Sequence, residues 1–251
     1  MRAILTYHSI DESGSPISVD PRVFRTQMEF LAAGRPRVVP LAEISRHDAP
    51  NETVALTFDD GFANFETIAA PLLMDLGLTA TVFVVTDHVG AHNDWAGPGI
   101  VHGSVPSLPL MPWDALGRLA EHGMEIAAHT RTHPRLSVAW PAALAEEVGG
   151  SSDRIQKEIG TRPLSFAYPY GDLDNRVVRA VGRSYQRACT TELRALEPDD
   201  DCLRLPRLDV YYFRAVGLLE QWGSSAFQRR LWIRAQARRV RRLVTAAAVR
   251  A

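Results

Sequence analysis

Residues 53–61 read Thr-Val-Ala-Leu-Thr-Phe-Asp-Asp-Gly, an apolar, β-branched run that ends in two acids and a glycine. A short run of this kind without polar alternation is typical of a strand buried in a parallel sheet. The Asp-Asp-Gly that follows fits an ordinary turn. Two adjacent carboxylates also repel each other unless a cation lies between them or one is protonated, so the pair equally fits a metal or catalytic site.

Similar strands alternate with helices along the chain. Further strands are predicted at residues 3–7, 79–85, 124–128, 164–168, 186–190 and 203–210. Helical patterns occupy residues 64–76, 113–121, 140–159 and 175–181, with an irregularity expected at Pro71 and a break at Gly149 and Gly150. This alternation predicts an α/β fold with a largely parallel sheet. Ligands bind at the carboxyl ends of the strands in such folds, so polar residues that follow a strand are the functional candidates.

The composition is that of an ordinary globular domain. The chain has 251 residues, of which 46% are hydrophobic and 23% charged, and one domain of this size is expected. Wholesale disorder is excluded, and no run of about 18 apolar residues predicts a membrane span. The first eight residues become polar too early for a secretory signal, so we expect a cytoplasmic protein. Cys189 and Cys202 form no CxxC pattern, and free thiols are expected.

The small net charge of −1 hides an uneven distribution. From Arg229 onward there are eight arginines and no acid, which leaves 20 basic against 29 acidic residues in the rest of the chain. An acidic body argues against a nucleic-acid partner. Residues 227–251 predict a basic amphipathic helix or tail that could lie on an anionic membrane surface. A solvated helix packed on the body, or a disordered end, fits the same residues.

Two histidines follow a later predicted strand. Residues 129–133 read His-Thr-Arg-Thr-His directly after the strand at 124–128. His129 and His133 can converge on one ion if the segment turns helically, although a capped turn with two hydrogen-bonded imidazoles has the same spacing. This pair and the Asp59-Asp60 pair end strands on the same side of the predicted sheet. Two imidazoles and one carboxylate with open positions form a known catalytic zinc set.

Three other strands carry candidates. His8 follows the first strand, and its position at the same edge favours a functional role. The stretch FAYPYG (166–171) ends another strand at a proline. Arg207 lies in an otherwise apolar strand, where an arginine is rarely buried unpaired, so a carboxylate partner is expected and the Asp pair is a candidate.

The stretches LTFDDG (56–61), HTRTH (129–133) and FAYPYG (166–171), in that order, resemble the polysaccharide deacetylase family, which is carbohydrate esterase family 4 with its NodB-homology domain. Residues 19–31, 111–136 and 203–210 resemble its intervening blocks. The resemblance implies a distorted, incomplete (β/α) barrel over residues 1–226, followed by the basic helix or tail at 227–251. It also implies a metal-dependent hydrolase that removes an acyl group, usually the N-acetyl group of an amino sugar.

Carried over by position, the resemblance implies that Asp59 is the general base. Asp60, His129 and His133 would be ligands of a divalent metal, with zinc favoured by ligand type and other first-row ions also suitable. The backbone N–H of Tyr170 would help to form the oxyanion hole.

The chain departs from the usual family pattern at two places. Members usually end with a histidine that acts as general acid, whereas no histidine follows His133 here. The YHS segment at residues 7–9 resembles the circularly permuted branch of the family, and His8 would then be the acid. Ala167 stands where many members have an arginine, and Arg207 would supply that positive charge from another strand.

Residues 90–111, rich in Gly, Pro, Asn and Ser, form a long predicted loop that would cover the strand ends. Trp95, Trp113 and Tyr168 are candidate sugar-binding aromatics, with burial in the core as the alternative for the tryptophans. The expected substrate is an N-acetylated glycan precursor, lipid-linked sugar or small glycoside, handled in the cytoplasm or at the inner membrane face. Two other functions stay open: a hydrolase of non-acetyl amides, such as a deformylase or a cyclic imide or ureide hydrolase, and a catalytically silent carbohydrate-binding module. The oligomeric state is not predicted.

Overall fold

The computed structural model describes residues 1–46, 48–95 and 105–248, with side chains up to Arg238, and strands and helices alternate through this part of the chain. The strands are β1 (Ala3–Tyr7), β2 (Ser9–Ile10), β3 (Ser18–Val19), β4 (Arg37–Val38), β5 (Thr53–Phe58), β6 (Thr81–Val84), β7 (Glu125–Ala128), β8 (Ser165–Ala167), β9 (Arg187–Cys189) and β10 (Leu208–Asp209). The helices are α1 (Pro21–Ala32), α2 (Leu41–Ile44), α3 (Ala70–Asp75), α4 (Trp113–Glu121), α5 (Pro141–Ala145), α6 (Ser151–Ile159), α7 (Asn175–Val181) and α8 (Ser225–Ala248). A π-helical turn precedes α3 at Phe65–Ala69, and another joins α5 to α6 at Glu146–Gly150.

The main sheet is parallel and strongly curled. Its strand order is β10-β1-β5-β6-β7-β8-β9, with β4 beside the amino end of β5. The two edges approach each other, because Leu205 bridges to Cys189 in β9 while Leu208 pairs with Leu5 in β1. The prediction of a distorted (β/α) barrel is therefore confirmed. Since β1 lies between β5 and β10, the first strand of the chain ends beside the carboxyl end of β5.

The side chains inside the curled sheet follow the two-residue period of strands. A buried apolar layer includes Ile4, Ala55, Phe83, Ala127, Ala167, Cys189 and Leu205. Two residues further along β1 and β5 come Thr6 and Thr57, whose hydroxyl oxygens are 2.9 Å apart. Two residues further still come His8 and Asp59. The candidate catalytic residues His8 and Asp59 thus follow a polar layer, formed by Thr6 and Thr57, that separates them from the buried apolar layer.

Helix α2 packs against the inner apolar layer through Leu41 and Ile44, whereas α1 packs on the outer face of the sheet. The carboxylate of Asp20 accepts a hydrogen bond of 2.8 Å from the N–H of Arg22 and so begins α1, with Pro21 in its first turn. Phe24, Met28 and Leu31 share one face of α1 and are buried in the large core cluster. Each fully buried side chain of this size stabilises the fold by about 1.5–3 kcal/mol.

The helix α8 is attached to the body by its first turns. Phe227 is buried and stacks on Phe213 with 4.9 Å between ring centroids, and Leu231 is also buried. Trp232 and Ile233 are 64% and 53% exposed. Within the described ranges, no helix is both long and apolar enough to cross a membrane.

Some local predictions from the sequence are wrong. The chain does not break at Gly149 and Gly150, because the π-helical turn carries it from α5 into α6. The strand predicted at 203–210 shrinks to β10, since Pro206 has no N–H and the N–H of Arg207 is donated to the carbonyl of Glu192 (2.9 Å). Of the predicted loop at 90–111, residues 96–104 lie outside the described residues. Both cysteines are free, as expected.

Candidate active site

Three buried side chains from two loops converge at the carboxyl edge of the sheet. Asp60 follows β5, and His129 and His133 follow β7. The Nε2 atoms of His129 and His133 lie 3.5 and 3.6 Å from Oδ1 of Asp60. One ligand atom of each residue lies within 4.8 Å of the other two. This spacing suits three ligands around one ion, as the sequence predicts.

The chemistry of these residues fits a divalent metal ion. Oδ1 of Asp60 is buried and has no hydrogen-bond partner within the described part of the chain. A buried carboxylate oxygen without a partner is costly, and a cation among the three atoms would remove that cost. Burial and the neighbouring His129 lower the pKa of His133 well below its ordinary value, which keeps the imidazole neutral. A neutral imidazole is the form that binds metal.

Both imidazoles are oriented by their second nitrogen. Nδ1 of His129 donates to the carbonyl oxygen of Ala167 at 2.8 Å, since that oxygen can only accept. Nδ1 of His133 lies 3.0 Å from the hydroxyl of Tyr170. Burial and the charge of Asp60 raise the pKa of Tyr170 to about 12, so its hydroxyl stays protonated. These contacts place the Nε2 lone pairs toward Asp60, as is usual for histidine ligands of metals.

The backbone at the site is strained. Asp60, Thr130, His133 and Tyr170 have φ angles of +73°, +70°, +61° and +59°. Among non-glycine residues of the described chain, positive φ occurs elsewhere only at Glu52. Such conformations cost about 1–3 kcal/mol each and persist where surrounding contacts fix them. One fixing contact is the hydrogen bond from the N–H of His133 to Oγ1 of Thr130, at 2.9 Å.

Asp59 lies next to the candidate metal ligands and is paired with Arg207. Nη1 and Nη2 of Arg207 donate to Oδ1 and Oδ2 of Asp59 at 2.6 and 2.7 Å, and both residues are buried. Burial alone would raise the pKa of Asp59, but the charge and hydrogen bonds of Arg207 outweigh it and lower the pKa below its usual range. The guanidinium is held in turn by the carbonyl of Thr190 and the hydroxyl of Thr57. Asp59 is therefore a buried carboxylate that stays ionised.

His8 also lies close to Asp59. Its Nε2 is 3.9 Å from Oδ2 of Asp59, and a quarter of its side chain is exposed. The position follows from the sheet order, because Tyr7 pairs with Phe58 at the ends of the adjacent strands β1 and β5. A partly exposed imidazole beside the cavity can exchange protons with solvent and with a bound ligand.

A cavity of about 490 Å³ opens above these residues. Its wall includes His8, both aspartates, both histidine ligands, Trp95, Tyr168, Tyr170, Arg207 and Arg238. Trp95 is nearly buried, and the centroids of its ring and of the His133 ring are 4.6 Å apart. Tyr168 is fully buried and donates its hydroxyl to the carbonyl of Leu203 at 2.9 Å, so it forms a fixed part of the wall.

The structure corrects one predicted sugar contact and adds a residue that sequence reasoning missed. Trp113 does not line the cavity; it packs against the core at the start of α4, with the Arg154 guanidinium 5.6 Å from its ring centroid. Arg238 of α8 reaches the rim, where Nη1 lies 3.8 Å from Oδ2 of Asp209. In the sequence, nothing distinguishes Arg238 from the other arginines of the tail, so its position near the strand ends could not be predicted.

Comparison with known proteins identifies related sequences. A family model described as polysaccharide deacetylase matches residues 46–187, more than half of the chain. YxkH of Bacillus subtilis is 26% identical over 213 residues, which cover 82% of this chain and 70% of that protein. The poly-beta-1,6-N-acetyl-D-glucosamine N-deacetylase of Staphylococcus epidermidis is 23% identical over 221 residues, which cover 82% and 73%.

Solved structures share the fold. A deacetylase of Streptococcus pyogenes, solved in complex with acetate, superimposes with a TM-score of 0.71 at 23% identity and covers 83% of this chain and 91% of that one. IcaB from Ammonifex degensii gives a TM-score of 0.72 at 21% identity, with coverage of 83% and 91%. The matched family segment contains Asp59, Asp60 and both histidine ligands, whereas His8 and Arg207 lie outside it. The assignment of His8 and Arg207 to the site therefore rests on their contacts with Asp59 in this structure.

Proposed function

This chain belongs to the polysaccharide deacetylase family, and from that premise we propose that it is a metal-dependent hydrolase that removes the N-acetyl group from an amino sugar. The observation that carries the proposal is the convergence of Asp60, His129 and His133 beside the ionised Asp59, in one cavity. A binding module has no need of a second carboxylate held ionised by a buried arginine. Zinc is the proposed ion, because two imidazoles and one carboxylate form a zinc-type set.

The reaction is an amide hydrolysis in which this chain supplies the base and the acid. Asp60, His129 and His133 would hold a divalent ion, which would act as a Lewis acid toward the water and the acetyl group. Asp59 accepts the proton of the attacking water as the acetyl carbonyl carbon is attacked. Asp59 is suited to this because Arg207 keeps it ionised and fixes both of its oxygens.

The remaining steps use Tyr170 and His8. The N–H of Tyr170 donates to the carbonyl oxygen as it becomes negative, and the left-handed backbone at Tyr170 sets the direction of that N–H. His8, in its protonated form, donates to the leaving nitrogen, since an amine anion is a poor leaving group. The products are acetate and the free amino sugar.

Metal analysis and acetate release together test this function. Purified protein should contain about one divalent ion per chain and release acetate from N-acetylated sugars presented on nucleotide, lipid and oligosaccharide carriers. Asp59→Asn should keep the metal and lose acetate release, because Asp59 is not a ligand, whereas Asp60→Asn should lose both. Formate release without acetate would replace the proposal with a deformylase. Sugar binding without release of either acid would replace it with a binding module.

The substrate we propose is a glycan precursor, lipid-linked sugar or small glycoside, and the lipid-linked case has support from α8. Trp232 and Ile233 are exposed beside the exposed Arg229 and Arg230, which suits an anionic membrane surface. Co-sedimentation should be measured with phosphatidylglycerol vesicles and with phosphatidylcholine vesicles. The double variant W232S/I233S should pellet less with the anionic vesicles than wild type does. The control Trp140→Ser, at an exposed tryptophan outside α8, should behave as wild type. Equal pelleting of all three proteins would end the membrane proposal. The cytoplasmic location stays a prediction.

A further inference from the structure

One carboxylate outside the ligand set binds the loop that carries both histidine ligands. Oε2 of Glu147 accepts hydrogen bonds from the N–H groups of Arg131 and Thr132 at 2.8 and 2.9 Å. Oε1 accepts the hydroxyl hydrogen of Thr132 at 2.6 Å. The three donors belong to Arg131 and Thr132, two of the three residues between His129 and His133. Hydrogen bonds to a charged acceptor are stronger than those between neutral groups.

Glu147 reaches the loop from the π-helical turn between α5 and α6. The turn at Glu146–Gly150 contains one more residue than an α-helical turn, and such bulges occur frequently at functional sites. It also brings the helix close to the loop, since a Cβ atom on Gly150 would lie 2.8 Å from Cδ of Arg131. Gly150 therefore leaves room for the side chain of Arg131 against the helix.

The opposite side of the loop is fixed by the end of β6. The N–H groups of Thr86 and Asp87 donate to the carbonyls of Thr130 and Arg131 at 3.1 and 3.0 Å. Asp87 also pairs with the Arg131 guanidinium at 2.9 Å. The carbonyl groups of Thr130 and Arg131 thus bind residues 86–87, just after β6, and the N–H groups of Arg131 and Thr132 bind Glu147, so the loop is held from both sides.

This loop needs such support because it contains strained backbone. Thr130 and His133 both have positive φ, a backbone conformation that persists only where surrounding contacts fix it. We propose that Glu147 is a positioning residue for the metal site, whose carboxylate holds residues 131–132 so that both imidazoles face Asp60. The inference rests on the metal site of the proposed function and is independent of the sugar that the protein accepts.

Zinc affinity, measured by competition with a chromogenic chelator, tests the role of Glu147. Glu147→Ala should weaken zinc binding by about 10–100-fold, the usual effect of removing a group that orients metal ligands. Glu147→Gln should recover most of the affinity, because its amide oxygen can still accept the two backbone N–H groups. Glu146→Ala is the matched control: Glu146 lies on the same turn but only pairs with the Arg131 side chain in an exposed position, and its loss should leave affinity unchanged.

A spectroscopic measurement separates positioning from plain stability. The cobalt(II)-substituted Glu147→Ala protein should show altered visible absorption bands, because the ligand geometry changes, while Glu146→Ala should match wild type. If Glu147→Ala does not fold, Thr132→Val removes only the hydroxyl contact and should still weaken zinc binding several-fold. Wild-type zinc affinity in folded Glu147→Ala, or in Thr132→Val if the former is unfolded, would overturn the proposal. A protein that binds zinc as described but releases no acetate would contradict the proposed function and leave the role of Glu147 intact.

Discussion

Arg207 and Asp59 lie 148 residues apart in the chain and are joined by two hydrogen bonds of 2.6 and 2.7 Å in a buried site. The planar guanidinium matches the carboxylate edge to edge, which a lysine ammonium cannot do. The pair connects the segment before β10 to the end of β5, so it ties the last strand of the sheet to the candidate base. Both the stability of the barrel and the charge of Asp59 therefore depend on Arg207.

Replacing Arg207 by methionine should cost about 3–5 kcal/mol of unfolding free energy, since it leaves a buried carboxylate without its partner. The double variant R207M/D59N should lose less unfolding free energy than the sum of the losses in the two single variants, because neither charge then remains buried. Urea denaturation of the four proteins in a double-mutant cycle measures this coupling. Additive effects within about 0.5 kcal/mol would show that the pair is not coupled.

Replacing His8 by alanine should keep the bound metal and lower kcat for an N-acetyl sugar by about 10²–10⁴-fold, the range for loss of a general acid. An aryl acetate should be affected far less, because a phenolate leaves without a proton. His122→Ala, which removes an exposed histidine at the end of α4, is the control. Amide hydrolysis at the wild-type rate would remove His8 from the mechanism.

Replacing Tyr170 by phenylalanine separates the two roles of this residue. The variant loses the hydroxyl that contacts Nδ1 of His133 but keeps the backbone N–H. Zinc affinity should fall by about 10–100-fold, while kcat at saturating zinc should change little. Tyr211→Phe, at an exposed tyrosine, serves as control. A lower kcat with unchanged zinc affinity would instead mean that the hydroxyl contacts the substrate.

Replacing Trp95 by alanine should raise KM for the sugar with a smaller effect on kcat. The reason is that Trp95 lines the cavity but takes part in none of the proposed proton transfers. A stacking contact of about 0.5–1.5 kcal/mol corresponds to a change of about 2–10-fold. Trp140→Ala, which removes a tryptophan that is 73% exposed, should leave KM unchanged. An unchanged KM in the Trp95 variant would assign the indole to packing against His133 alone.

The sequence predicts the part of the site that depends on local pattern. The strand pattern and the rule that ligands bind at the carboxyl ends of strands predict that Asp60, His129 and His133 lie at one edge of the sheet. The structure places the candidate ligand atoms of these residues within 4.8 Å of one another. The partner expected for Arg207 is also found, because a buried arginine in an apolar strand has few alternatives. The structure thus brings together the residues that could be located from strand ends alone.

The remainder depends on how helices dock, which no local pattern encodes. Gly149 and Gly150 suggest a break by propensity, but tertiary packing keeps the segment helical with an extra residue in one turn. Trp113 follows a predicted loop and suggests a sugar contact, yet α4 turns it toward the core. The contact of Glu147 with the histidine loop appears only once the helix and the loop are packed together.

The curled sheet is completed by residues 205–209, which join β9 to β1. During translation β1, β5, β6 and β7 leave the ribosome well before that segment, and so do all three ligand side chains. Synthesis proceeds at about 5–20 residues per second, so a nascent chain spends several seconds with the ion-binding residues made and Arg207 not yet added. In that interval Asp59 lacks the guanidinium that, in the folded protein, fixes both oxygens of its carboxylate. Hydrolytic competence thus arises only after Arg207 has been added, later than the residues of the candidate metal site.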